Sequence, residues 1–230
     1  MPAEYNMLCF LYMNPRTPLW FVSRPFSLES KKQAIAEILE KTVPDRDFYL
    51  LVIGAVLLAI CGIFLDSVAV LIASMIVAPL AYPILGLGLG IVVGDGRLIA
   101  RTLGMLVISL LIAILGAFLV TSFFGDLRVD PIFIGFESNL YLATVIALIA
   151  GFIAAYGLVR SKVGSALTGI GIAVSLMPPL VATGIGFFDP KDFSSEQTFI
   201  IFLLNVAGIL VGSMVVFGML GFPSIYKKNA

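Results

Sequence analysis

The sequence predicts an all-α integral membrane protein with about six transmembrane helices, arranged as two inverted three-helix repeats whose second and fifth helices are broken. Three observations support this fold class: long apolar runs without charge, basic residues concentrated on one side of those runs, and proline motifs that recur after 100 residues. The 230 residues are 60% hydrophobic and 12% charged. Soluble domains are roughly half apolar and a quarter charged, so this composition indicates a bilayer environment.

Six charge-free apolar runs define the candidate spans. They cover residues 48–65, 67–94, 102–125, 138–159, 163–188 and 197–226. Each meets or exceeds the roughly 18 residues that a helix needs to cross the hydrocarbon core. Because lipid cannot hydrogen-bond the backbone, runs of this length must be helices, interrupted only where protein or water surrounds them.

The basic residues predict the orientation of the spans. With a cytoplasmic N-terminus, the outer loops contain only Arg128 and Lys191, and the other twelve lysines and arginines lie inside. This asymmetry is the positive-inside pattern. We therefore expect a multi-pass protein of the cell (inner or plasma) membrane with both termini in the cytoplasm.

The N-terminal region, residues 1–44, is predicted to be a cytoplasmic tail preceding a transmembrane domain at 45–226. Ser27 precedes a helical pattern that ends before Pro44. Its apolar face comprises Leu28, Ile35, Ile38 and Leu39. Such an amphipathic helix lies on the membrane surface or packs on the bundle, and a regulatory or partner-binding role is the alternative.

An internal repeat divides the transmembrane domain into halves at about 48–125 and 138–226. With an offset of 100 residues, the second apolar run matches the fifth: Ile72, Ala73, Pro79, Leu80 and Gly86 align with Ile172, Ala173, Pro179, Leu180 and Gly186. Because three spans per half is an odd number, the second half must enter the membrane from the opposite side. The repeat is therefore predicted to be inverted.

Paired prolines predict a break in the second and fifth spans. Pro79 and Pro83 lie in the second, and Pro178 and Pro179 in the fifth. A proline inside a helix costs roughly 3 kcal/mol or more, because it removes an N–H and clashes with the preceding turn. Carbonyl groups at 74–78 and 174–177 would then lack partners, which is tolerated only beside protein or a water-filled cavity. Kinked helices packed together without a ligand are the alternative interpretation.

At these motifs the sequence resembles a prokaryotic membrane family known as domain of unknown function 389. The resemblance rests on ASMIVAPLAYPILGLGLGIVVGD at 73–95, GIGIAVSLMPPLVATGIG at 169–186, and Asn205 in the last span. It covers about residues 48–220 and implies a fold and a membrane location but no substrate. Members of that family often carry a soluble N-terminal domain, which is reduced here to about 45 residues.

The paired breaks are the best sequence indication of a transport site. No charged residue lies well inside a span, so a proton relay has no obvious carrier. Neutral groups and the prolines themselves form the candidate solute- or ion-binding site: Ser74, Pro79, Tyr82, Pro83, Ser175, Pro178, Pro179, Thr183 and Asn205. At the span ends, Asp66 is expected to cap the second helix and Asp95 to stabilise a turn.

A membrane transporter or channel for a small solute or ion is the function that these features favour. A non-transporting scaffold or sensor is the alternative. An intramembrane enzyme is least favoured, because there is no second buried aspartate and no histidine for a serine or metal site.

The composition also limits the expected partners. Acidic and basic residues balance at 14 each, which gives no basic surface for nucleic acid. Cys9 and Cys61 offer no metal-site spacing and are interpreted as packing residues. We expect no metal or cofactor, and partners limited to membrane lipids, an unknown small solute or ion, and further copies of the chain in a homo-oligomer.

Overall fold

The computed structural model describes residues 27–124, 140–160, 176–188 and 194–226. This part of the chain is helical and contains no strand. Its helices are α1 (Leu28–Lys41), α2 (Arg46–Phe64), α3 (Val68–Val77), α4 (Ala81–Val93), α5 (Gly96–Phe124), α6 (Leu140–Val159), α7 (Met177–Phe188), α8 (Ser195–Met219) and α9 (Phe222–Tyr226).

Four of these helices, α2, α5, α6 and α8, are long and apolar enough to cross a bilayer. The pair α3 and α4 meets the same criteria together, with a bend of 49° between them, which raises the count in the described ranges to five. Helix α7 has only 12 residues, and the first part of the run that contains it lies outside the described residues. The chain is thus an all-helical, membrane-embedded protein, and the six-helix inverted repeat stays a prediction.

Side-chain caps begin two of the spans earlier than the charge-free runs predict. Asp45 Oδ1 accepts a hydrogen bond from the Phe48 N–H at 2.8 Å, so α2 begins at Arg46. Asp95 Oδ1 accepts from the N–H groups of Arg97 and Leu98 at 2.9 and 3.1 Å, so α5 begins at Gly96. Helix α5 therefore extends beyond the N-terminal end of the charge-free run at 102–125, because the cap allows the helix to include Arg97 and Arg101.

The predicted cap at Asp66 was wrong, and the last apolar run contains a further helix end. Ser67, not Asp66, caps α3, since its Oγ accepts from the Val70 N–H at 3.5 Å. Asp66 adopts a left-handed backbone with φ of 49°, whereas a cap residue is extended. At the other end of the chain, Gly221 with φ of 71° separates α8 from the short α9, so the last apolar run is not one continuous helix.

The amphipathic helix α1 forms as predicted and packs on the bundle. Ser27 Oγ accepts from the Ser30 N–H at 3.1 Å, which caps its first turn. Ala34, Ile35 and Ile38 are buried against α4 and α6. Leu28 is 57% exposed, however, because it occupies the first position of the helix and extends beyond the contact.

Helix α4 lies at the centre of the bundle. Every residue from 83 to 90 is buried, and the helix packs against α5 and α8, with α1 and α9 also in contact. Helix α7 packs against the same two helices, α5 and α8, and against α2. Outward-facing residues of α5, such as Leu111, Leu115 and Leu119, are exposed, which is the arrangement expected of a lipid-facing surface.

Candidate functional site at the helix break

The predicted break in the second span is present at residues 78–80. Helix α3 ends at Val77, and the Ala78 N–H donates to the Ser74 carbonyl at 3.1 Å. Pro79 has no N–H, so it cannot donate to the Met75 carbonyl four residues earlier. Ala78 itself is extended, with φ of −65° and ψ of 119°, as expected of a residue before proline. The break is therefore the direct consequence of one proline, although the Ser74 carbonyl, predicted to lack a partner, is bonded.

Pro83 does not take part in the break. It is the third residue of α4, and the next backbone bond of that helix runs from the Ile84 N–H to the Leu80 carbonyl at 3.4 Å. The first turn of a helix does not use its own N–H groups, so proline is accommodated there. The prediction that both prolines break the span was correct only for Pro79.

The break is enclosed by protein. Ser74 has no exposed surface, and Ala78, Leu80 and Ala81 are buried. The Ser74 hydroxyl donates to the Leu71 carbonyl at 2.7 Å, which is the common back-bond of serine in an apolar helix. Irregular backbone thus occurs in this apolar chain where surrounding side chains cover it, as the absence of water in a bilayer requires.

In the second half, both prolines lie at the start of α7. Met177 is the first residue of that helix, followed directly by Pro178 and Pro179, and both Met177 and Pro178 are buried. Ser175 lies outside the described residues, as does the segment that would form the other half of a broken span. Proline in a first turn is compatible with an uninterrupted helix from there on, so the second break stays a prediction.

Thr183 joins α7 to α8 through a buried pair of hydroxyl groups. Its Oγ1 donates to the Pro179 carbonyl at 2.7 Å and lies 3.0 Å from Thr198 Oγ1. Thr198 in turn bonds the Ser194 carbonyl at 3.1 Å. Thr198 was missed from the sequence, because a threonine near the start of a span gives no sign that it faces another helix.

The predicted site residues come together only in part. Helices α3 and α7 touch over a small area, and α4 and α7 share α5 and α8 as neighbours. Asn205, on α8, is 3% exposed and belongs to the helix that packs on both α4 and α7. The described residues that surround this region are mostly apolar, and nowhere among them do three or more metal-ligating side chains gather.

Tyr82 has a partner that sequence analysis missed. Its hydroxyl donates to Glu37 Oε1 on α1 at 2.6 Å, which brings a carboxylate next to the first turn of α4. The same face of α4 meets the end of α1, where Arg101 Nη2 donates to Thr42 Oγ1 at 2.9 Å. A single tyrosine among apolar residues indicates that its hydroxyl needs a hydrogen-bond partner. The sequence could not identify that partner, because Glu37 lies 45 residues away.

A second tyrosine–carboxylate pair lies at the opposite end of α4. The Tyr226 hydroxyl on α9 donates to Asp95 Oδ2 at 2.6 Å. This bond and the N–H groups of the cap hold the pKa of Asp95 below its usual value. Burial, together with the neighbouring carboxylate, raises the pKa of Tyr226 to about 12.

Replacing Tyr226 by phenylalanine should destabilise the protein by about 1 kcal/mol near neutral pH, because a hydrogen bond to a partly solvated carboxylate is lost. Because the pKa of Asp95 is lowered in the fold, its contribution to stability is complete above the ordinary aspartate pKa of about 4. Because the pKa of Tyr226 is raised, its contribution is complete below the ordinary tyrosine pKa of about 10. The free energy of unfolding in mixed micelles should therefore be lower for the variant than for wild type between about pH 4 and about pH 10. This difference should become smaller below about pH 3 or above about pH 11. Tyr141→Phe, at a residue 79% exposed, is the matched control. A difference that did not vary with pH would contradict the assignment.

Comparison with known proteins identifies the family of the chain and assigns it no activity. The family model described as domain of unknown function 389 matches residues 75–211. An uncharacterised protein of Methanocaldococcus jannaschii is 32% identical over 199 residues, which cover 84% of this chain and 62% of that protein. The chain thus matches less than two thirds of the length of this relative. No solved structure matches. The matched region includes the Pro79 break, α7 and Asn205, and the chain belongs to the domain of unknown function 389 family.

Proposed function

We propose that the protein is a membrane transporter or channel for a small solute or ion, and that its permeation site lies at the α3–α4 break and the start of α7. The observation that carries the proposal is the break itself, since Pro79 leaves the Met75 carbonyl without its helical donor inside a bundle of apolar helices. Broken helices at such depth supply carbonyl groups and helix ends that can replace the hydration shell of a solute. The proposal assigns no catalytic residue.

The packing of α4 and α7 supports the inverted repeat. If residues 48–125 and 138–226 are related by a two-fold axis in the membrane plane, α4 corresponds to α7 and α5 to α8. The contact of α4 with α8 then corresponds to that of α7 with α5, and both contacts are extensive. This pair of matching contacts is what an inverted repeat predicts, and it supports a site at a repeat interface.

The polar contacts at one end of the bundle support the predicted orientation. The Tyr226–Asp95 bond joins the region after α8 to the turn before α5, and Lys31 Nζ donates to the Leu220 carbonyl at 2.6 Å. These segments are the ones predicted to be cytoplasmic from their basic residues. We therefore propose an inner or plasma membrane location with both termini in the cytoplasm. We also propose a homo-oligomer, because the exposed apolar face of α5 offers surface for a second copy as well as for lipid.

Flux through reconstituted vesicles tests the proposal. The double variant Pro79→Ala, Pro179→Ala allows a continuous helix with normal bonds, so the bent conformation is no longer favoured. We expect flux of a panel of small ions and neutral solutes to fall at least roughly tenfold, the effect of about 1.4 kcal/mol on that conformation, while the free energy of unfolding stays equal or rises. Single-channel current steps would distinguish a channel from a carrier.

The exposed Pro44, in the turn between α1 and α2, provides the matched control. Pro44→Ala should transport as wild type does. Flux that survives in the double variant would refute the site. Wild-type vesicles that carry none of the panel, with the protein folded, would favour the scaffold or sensor.

A further inference from the structure

Helix α1 connects segments from both predicted halves of the bundle. Its contacts reach α4 of the first half and α6 of the second. Hydrogen bonds extend this set to α5, through Arg101, and to the end of α8, through Leu220. A helix outside the repeat therefore joins the parts that would have to move apart in any transport cycle between inward and outward states.

Three polar contacts hold α1 in place. Near its start, Lys31 Nζ donates to the Leu220 carbonyl at 2.6 Å. In its middle, Glu37 accepts the Tyr82 hydroxyl at 2.6 Å. At its end, Arg101 Nη2 donates to Thr42 Oγ1 at 2.9 Å and to the Leu39 carbonyl at 3.4 Å. Each contact involves a different helix or helix end, so together they fix both the position and the rotation of α1.

The inner side of α1 covers the first half of α4. Ala34 and Ile38 are buried on the inner side of α1, and Gly86 of α4 lies against the methyl groups of Ile38 and Thr42. The opposite side of the helix is open, with Lys32, Gln33, Ala36 and Glu40 exposed. Only one side of the helix is packed, so its release would expose a strip of α4 without dismantling the spans.

Tyr82 is the contact nearest to the break. It is the second residue of α4 and follows Pro79 by three positions, so its bond to Glu37 fixes the start of α4 relative to α1. Loss of this bond would leave the first turn of α4 held only by apolar packing. The bond therefore connects the helix start that follows the break to α1.

We propose that α1 is a strap that closes the α3–α4 break, and that release of the Glu37–Tyr82 contact lets α1 leave α4 and opens the break to water. The strap regulates the site of the proposed function and rests on that function only for its effect on flux. Its structural part stands on the contacts of α1 alone.

Thiol labelling measures the release of α1 without reference to transport. In a background with Cys9→Ser and Cys61→Ser, the reporter Ala34→Cys lies on the buried side of α1 and the reporter Ala78→Cys lies at the break. Glu37→Ala and Tyr82→Phe remove the two sides of the same bond. We expect either change to speed the labelling of both reporters by roughly three- to tenfold, which is the effect of one partly solvated hydrogen bond to a charged group. The two changes together should add little to either one alone, because they remove one interaction.

Glu40→Ala is the matched control, since it removes the same charge from the exposed side of the same helix. It should label as the background does. Equal labelling in Glu37→Ala and the background would overturn the strap. Faster labelling at Ala34→Cys without any change at Ala78→Cys would also overturn it, because α1 would then leave without opening the break.

Flux in the same variants separates this proposal from the proposed function. A strap predicts flux that rises with the labelling rate. Flux that falls in Glu37→Ala and Tyr82→Phe would instead make the pair part of the permeation pathway and would refute the strap. If neither wild type nor any variant carries flux, the proposed function fails. The labelling rates of the variants relative to the background still decide whether release of α1 opens the break.

Discussion

Replacing Gly212 by alanine should prevent α6 and α8 from packing and should lower the free energy of unfolding by about 3 kcal/mol or more. These two helices make the most extensive contact in the described bundle. A Cβ at Gly212 would overlap the carbonyl oxygen of Leu148 and lie 2.8 Å from the backbone nitrogen of Phe152. Backbone atoms cannot move aside as a side chain can, so the whole helix would have to shift. Unfolding in mixed micelles, followed by circular dichroism, measures the loss.

Gly218, on the same helix, is the matched control for this substitution. A Cβ there would have nothing within 4 Å, so Gly218→Ala should leave the protein equally stable or raise its stability by up to about 1 kcal/mol. On α6, Gly151 faces the backbone of Ile209 and should respond to alanine as Gly212 does. Equal stability of Gly212→Ala and Gly218→Ala would contradict the close approach of α6 and α8.

Replacing Gly86 by alanine should loosen α1 from α4 and cost about 1–3 kcal/mol of stability. The new Cβ would lie 2.7 Å from Thr42 Cγ2 and 2.8 Å from Thr102 Cγ2, and both threonines are fully buried. Because the main chain of α4 is enclosed on all sides, the cheaper response is displacement of α1, whose outer side is free. Labelling of the Ala34→Cys reporter should therefore accelerate together with the loss of stability.

Gly104→Ala in α5 provides the comparison for Gly86, since a Cβ there would also have nothing within 4 Å. It should change neither stability nor the labelling rate by an amount comparable to Gly86→Ala. Loss of stability in Gly86→Ala without faster labelling would show that α5, through Thr102, is displaced in place of α1.

The sequence was sufficient to locate the break at Pro79 because that feature depends on local chemistry. A proline lacks an N–H in any tertiary context, so the interruption of α3 and α4 could be predicted from one residue. The apolar spans and the cap of α1 at Ser27 follow from equally local features. The effect of Pro83 was misjudged, because it depends on whether a helix begins just before that residue, which the apolar run does not reveal.

The contacts of the site could not be predicted, because they depend on which helices become neighbours. Glu37 is not part of the apolar face predicted for the amphipathic helix, yet its carboxylate accepts a hydrogen bond from Tyr82 of α4. Thr198 and Arg101 likewise acquire their partners only when α8 and α5 are placed. The periodicity of one sequence identifies the apolar side of a helix but not the element that covers it. Polar residues at the edge of that side are the hardest to assign to solvent or to a partner helix.

The position of α1 has a consequence for biogenesis. Its residues leave the ribosome before the spans that they contact, but Lys31 bonds Leu220, which is 189 positions later in the chain. Domains generally fold from the N-terminus during synthesis, so α1 can pack on α4 early, whereas its contacts with α6 and with Leu220 must wait until those later segments have been inserted. The Lys31 contact would then be among the last of α1 to form, and a chain truncated before the end of α8 would enter the membrane without it.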